Sequence, residues 1–150
     1  MNFILEKNEI SSKLDIHEPL LIINKINIKT LDKTARAIQL INKKDWFFKC
    51  HLPNKPVMPA ALTIEGMLQT LALLIYSTVD HSFEKTYIVD IKTKLLSAIT
   101  EVDSEIIYDA KLTSFKRGIS RGTVEVFSKN KKKGKGEFVY ASPSLMKLPN

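Results

Sequence analysis

From Ala61 to Val79 the chain is predominantly apolar and carries a single charged side chain, Glu65. Leucine dominates it, with Ala61, Met67, Gln69 and Ala72, and these are good helix formers, so the run predicts one long helix. A helix that is apolar nearly all round must be enclosed by other structure. A membrane span needs roughly 20 predominantly apolar residues. Glu65 and Gln69 interrupt this run early, and the stretch after Gln69 is too short. The expectation is a core helix, and an architecture able to wrap it.

The rest of the chain offers the wrapping. Tyr87, Val89, Ile91, Thr93 and Leu95 alternate with Ile88, Asp90, Lys92 and Lys94, and Ile106, Tyr108, Ala110 and Leu112 alternate with Ile107, Asp109 and Lys111. A period of two marks half-buried strands of an antiparallel sheet. Thr123–Phe127 and Glu137–Tyr140 read as two further strands. Before the helix, residues 3–16 read as a short helix, Leu20–Ile28 as a strand, Leu31-Asp32-Lys33 as a turn and Thr34–Ile41 as a second strand. Trp46, Phe47 and Phe48 form an aromatic cluster expected in the core. Pro53, Pro56 and Pro59 hold the backbone out of a helix until the apolar run begins. With 150 residues, no repeat and no linker, the chain predicts a single domain over 1–150. Its class is α+β, a long central helix wrapped by a curved antiparallel sheet.

Composition narrows the function. Cys50 is the single cysteine, so no intramolecular disulfide forms. Met1–Glu6 lacks a basic stretch followed by an apolar run, so no signal peptide is expected and the location expected is cytoplasmic. The net charge of +7 favours polyanionic partners in general. The densest basic stretch, Lys129-Asn130-Lys131-Lys132-Lys133-Gly134-Lys135, reads either as a solvated turn between strands, which Gly134 and Gly136 support, or as a nucleic-acid patch. No aromatic residue interleaves with the lysines to stack bases, so no nucleic-acid partner is expected. Cys50 and His51 are adjacent and no second ligand pair exists, so no metal site is expected. A glycine-rich phosphate loop is also missing.

Two side chains stand out chemically. Glu65 lies in the first two turns of the apolar helix, where an ionised carboxylate must be paired, hydrogen-bonded or neutral. Gln69 is four residues on, on the same face, and can supply the hydrogen bond. The plain alternative is a glutamate facing solvent. His51 precedes the proline loop, and histidine suits general-base work at neutral pH; a lone histidine is usually a structural one. His17 and His81 rank below it.

The stretch His51-Leu52-Pro53-Asn54-Lys55-Pro56-Val57-Met58-Pro59-Ala60, followed by Ala61-Leu62-Thr63-Ile64-Glu65, resembles the signature of the 3-hydroxyacyl-acyl-carrier-protein dehydratases of fatty-acid synthesis. There a His-Phe-Pro-Gly-Lys-Pro-Val-Met-Pro-Gly loop enters a helix bearing an acidic residue at the same spacing. Asp45-Trp46-Phe47-Phe48, Gln69, Pro19–Asn24 and Lys116–Arg121 are similar to further family segments. Glu65, rather than aspartate, resembles the branch that dehydrates without isomerising, whereas Cys50 is similar to the isomerising branch. Ala60 and Asn54 stand where the family has glycines, Glu18 stands near a family tyrosine that gates the acyl tunnel, and Ile99–Ser104 lacks the family's proline and glycine. These departures bear on substrate and chain length, and they fit a specialised pathway.

The resemblance implies a hotdog fold and a homodimer, or a trimer of such dimers, with each active site shared between subunits. It implies His51 as base and Glu65 as acid, the Ala60 N–H as oxyanion donor and the Val57 carbonyl as orienter of His51. It implies no dissociable cofactor, because the substrate rides on the phosphopantetheine of an acyl carrier protein. That carrier is acidic, which gives Lys116, Arg117 and Arg121 a docking role. The alternatives are a hotdog thioesterase and a non-catalytic carrier-binding partner.

Overall fold

The computed structural model describes residues 1–82 and 84–146. In chain order its elements are β1 (Asn2–Glu6), α1 (Lys7–Leu14), β2 (Lys25–Lys29), β3 (Thr34–Leu40), α2 (Trp46–Cys50), α3 (Ala60–Thr78), β4 (Tyr87–Leu95), β5 (Glu105–Lys116), β6 (Ile119–Ser128) and β7 (Lys131–Ala141). The strands form one seven-stranded antiparallel sheet in the order β1-β2-β3-β5-β6-β7-β4. α3 lies across one face of it.

The expected period of two is visible as burial. Ile26 and Ile28 of β2, Ala35 and Ala37 of β3, Ile106, Tyr108, Ala110 and Leu112 of β5, and Val124 and Val126 of β6 all turn to the helix side. On α3, Met67, Leu71, Leu73, Leu74 and Ile75 are fully buried. The close approach of helix and sheet depends on Gly66. A Cβ built there would lie 2.5 Å from the Tyr108 hydroxyl and closer still to the ring carbon that bears it. α1 covers the flank of α3 with Ile10 and Leu14. α3 has the length and mean hydropathy (1.4) of a membrane span, but 67% of that window is buried in this core. The whole is an α+β hotdog fold.

Several boundaries differ from expectation for physical reasons. Residues 2–6 form a strand, not the start of a helix, because Phe3 and Leu5 pair with Ile28 and Ile26 across the β1–β2 ladder. The helix starts after Glu6, whose backbone N–H donates to Glu9 in a capping box. Leu20–Asn24 is not strand: Leu20 and Leu21 N–H turn back to the His17 carbonyl. Trp46 is 47% exposed, while Phe47 and Phe48 are buried as expected.

The lysine run is mostly strand. The turn is Lys129-Asn130, both at positive φ (49° and 65°), as a two-residue hairpin requires. β7 already begins at Lys131, so Gly134 and Gly136 are strand residues and not turn residues. β4 is exposed on both faces, with Tyr87 at 64% and Val89 at 58%. The alternation predicts a half-buried strand there, but β4 is an edge strand that α3 does not cover.

Candidate active site

His51 closes α2, its N–H donating to the Phe47 carbonyl at 3.1 Å. Its Nδ1 lies 2.9 Å from the Val57 carbonyl oxygen. A carbonyl only accepts, so Nδ1 carries the proton and the Nε2 lone pair is left for other work. The loop between them turns at Leu52, the loop residue that takes positive φ (50°), with Lys55 N–H bonded to the Leu52 carbonyl. Asn54 and Ala60 are not among the positive-φ residues, so neither replacement of a glycine strains the backbone. Met58 N–H donates to the Ile99 carbonyl at 2.8 Å, which pins the loop to the segment before β5.

Pro59 caps α3, and its carbonyl receives the N–H groups of Leu62 and Thr63. The N–H groups of Ala60 and Ala61 have no acceptor among the described residues. The first turn of a helix leaves such donors free, and they carry the positive end of its dipole.

Glu65 is half-buried rather than enclosed. Its Oε1 accepts a 2.9 Å hydrogen bond from Gln69 Nε2. Gln69 is itself buried; its Nε2 also donates to the Leu20 carbonyl (2.8 Å) and its Oε1 accepts from Ile22 N–H (2.9 Å). Each amide atom of Gln69 therefore has a fixed role. Glu65 opens onto a groove of about 300 Å³ lined also by Leu14, Ile16, Leu68, Tyr76, Tyr87 and Tyr140. Tyr140 donates to the Leu68 carbonyl at 2.7 Å. Burial first, and then the charge of Glu65, push the Tyr140 hydroxyl well above its ordinary range, so it serves here as a neutral wall and donor.

The structure joins His51 to Val57 and Glu65 to Gln69. It does not join His51 to Glu65 within the chain: no hydrogen bond links them, and the Glu65 groove does not include His51. Lys116, Arg117 and Arg121 are exposed on the β5–β6 hairpin, whose turn is Arg117-Gly118. β5 is 12 residues long, about 40 Å at ~3.4 Å per residue. The His51 loop is tied near its start and these three side chains lie at its end. The hairpin instead neighbours the Glu65 groove: Ile119 pairs with Ala141, which pairs with Tyr87. No cluster of three or more His, Cys, Asp or Glu placed for a metal occurs among the described residues. Sequence reasoning missed the Leu20–Ile22 grip on Gln69 and the free Ala61 N–H; the first comes from tertiary contact alone, the second from where the helix starts.

Fold and loop define a hotdog domain with a histidine loop leading into its central helix. The profile of the FabA-like domain family matches residues 16–140. The chain is 31% identical over 124 residues to the 3-hydroxyacyl-acyl-carrier-protein dehydratase FabZ of Shewanella woodyi, covering 81% of this chain and 82% of that protein. It is 28% identical over 127 residues to the FabZ of Shewanella sediminis, covering 81% and 83%. Among solved structures, a conserved protein of Pseudomonas aeruginosa superposes with TM-score 0.59 at 20% identity over 73% of this chain and 81% of that one. A phenylacetic acid degradation-related protein of Ralstonia eutropha gives 0.65 at 9% identity over 92% of each. The chain belongs to the FabA-like family.

Proposed function

We propose that this protein dehydrates 3-hydroxyacyl thioesters carried on acyl carrier protein, giving trans-2-enoyl thioesters. The observation that carries the proposal is the His51 Nδ1–Val57 bond, which leaves Nε2 as a base on the loop that leads into the N-terminus of α3. His51 Nε2 takes a proton from the carbon next to the thioester carbonyl. Charge grows on the carbonyl oxygen, where the Ala60 N–H and the dipole of α3 stabilise it. Glu65, oriented by Gln69, gives a proton to the 3-hydroxyl, which leaves as water. The proton held by His51 is then returned to Glu65 through solvent, and no metal or redox group enters the balance.

The two residues act together across a dimer. One subunit supplies the His51 loop. The other supplies Glu65, its groove and the basic hairpin of Lys116, Arg117 and Arg121, which docks the acidic carrier. The open β4 edge, with Tyr87, Val89 and Ile91 exposed, supports pairing with a second copy. The same assembly accounts for a half-open groove beside Glu65.

The test is turnover of a panel of 3-hydroxyacyl carrier thioesters. His51→Ala and Glu65→Gln should each lower kcat by about 10²–10⁴-fold. Mixing the two inactive variants should restore about a quarter of wild-type activity, since a mixed dimer rebuilds one of its two shared sites. Equal turnover by wild type and both variants would end the proposal. Release of free acid would assign a thioesterase instead.

A further inference from the structure

One lysine of the basic run points inward. In the β6–β7 ladder Val126 opposes Gly134 and Phe127 opposes Lys132, so Lys133 is an extra, bulged residue. A bulge re-aims the side chain it carries, and the Lys133 side chain is only 10% exposed. Its Nζ lies 3.2 Å from Asp103 Oδ1 and donates to the Ala98 carbonyl at 2.9 Å. Its backbone carbonyl receives Leu96 N–H at 2.8 Å and Ser97 N–H at 3.3 Å. Asp103, equally buried, accepts from Ser128 Oγ (2.8 Å) on Oδ1 and from Thr100 N–H (2.7 Å) on Oδ2.

Residues 96–103 are thus gripped at Leu96, Ser97, Ala98 and Thr100. Ile99 sits between the last two, and its carbonyl holds Met58 N–H. Met58 follows Val57, whose carbonyl fixes the His51 ring. A second hold comes from Gln39, whose Nε2 donates to Met58 Sδ at 3.5 Å while its Oε1 accepts from the Tyr108 hydroxyl at 2.6 Å. A buried ion pair is a weak device for stability alone, because desolvation offsets its attraction. Here its two ends fix the two sides of Ile99, whose carbonyl holds the Met58 N–H.

We propose that Lys133 and Asp103 are positioning residues for His51, acting through Ile99 and Met58 to set the carbonyl that selects its tautomer. This rests on the reading of His51 as the base. The test uses the full-length protein labelled with ¹⁵N, as wild type, Lys133→Met and the double variant Lys133→Met/Asp103→Asn. The double variant leaves no unpaired buried charge, so it carries the test if the single variant fails to fold. Long-range ¹H–¹⁵N spectra should show His51 as one Nδ1–H tautomer in wild type and as a mixture in the variants. His17 and His81, outside the network, should not change. In parallel, kcat should fall about tenfold at unchanged KM. A folded double variant with wild-type His51 tautomer and wild-type kcat would overturn the proposal. If wild type turns over no thioester, the dehydratase reading falls, and the spectra alone still decide whether this pair sets the His51 ring.

Discussion

Replacing Gly66 with alanine adds a single methyl group on a helix, a change that ordinarily gains about 1 kcal/mol of helix propensity. Here it should do the opposite. The new Cβ would stand 2.5 Å from the Tyr108 hydroxyl and 2.7 Å from Cε1. Tyr108 is fully buried and cannot swing into solvent. Displacing its ring costs about 1–3 kcal/mol of overpacking. It also disturbs the 2.6 Å bond to Gln39, leaving a buried acceptor at a cost of about 1–3 kcal/mol. Against the propensity gain, the net destabilisation is about 3 kcal/mol. For a chain of this length that lowers Tm by about 9 °C. Urea and thermal unfolding at one fixed protein concentration measure it. Tyr108→Ala makes room for the methyl, so the double variant should be more stable than the sum of the two single losses by at least ~1 kcal/mol. A Gly66→Ala protein as stable as wild type, or more so, would show that Tyr108 yields freely and that its contact with Gly66 does not set the distance between helix and sheet.

Two further perturbations probe the same frame. Gln69→Leu removes the bonds to Glu65, Leu20 and Ile22 together. It should cost about 1–3 kcal/mol through the stranded buried Ile22 N–H, and lower kcat; denaturant unfolding with steady-state kinetics checks both, and loss of neither would refute the role given to Gln69. For Asp103, burial alone would push the carboxyl up, but hydrogen bonds from Thr100 N–H, Ser128 and Lys133, with the charge of Lys133, hold it below the usual carboxylate range. A lowered folded-state value means its stabilisation is fully present above the unfolded value of about 3.9 and is lost as pH falls through the folded one. Asp103→Asn should therefore weaken the acid dependence of stability below about pH 4–5, measured as unfolding free energy against pH; an unchanged acid limb would refute it.

Much of this is legible in the sequence because its physics is local. The Ala61–Val79 run predicts the central helix to within one residue at each end. The alternation in Ile106–Leu112 predicts which side chains of β5 face the core. The family resemblance that places His51, Val57 and Glu65 also implies the His51–Val57 bond. The features that escape are set by tertiary partners. Phe3-Ile4-Leu5 is a short continuous apolar run that fits helix or strand, and only Ile26 and Ile28 across the ladder decide it. Lys133 is indistinguishable in sequence from Lys131 and Lys132, and a one-residue bulge against Phe127 sends it inward. The mistaken turn at Gly134 and Gly136 has the same root: Lys129-Asn130 reverses the chain without glycine.

The order of the strands has a consequence for how the chain acquires its shape. β4 is fourth in sequence but lies at the far edge, beside β7. Its last residue, Leu95, pairs with Gly134, and its first, Tyr87, with Ala141, 46 residues beyond the end of β4. During synthesis at about 5–20 residues per second, β4 waits several seconds with no ladder to join. Throughout that interval Ile88, Val89 and Ile91 are an unsatisfied strand next to a finished helix. Long-range pairing of this kind is slow and open to aggregation. The lysines at 92 and 94 within the same strand are then best understood as gatekeepers of the nascent chain, guarding an edge that the folded chain leaves open.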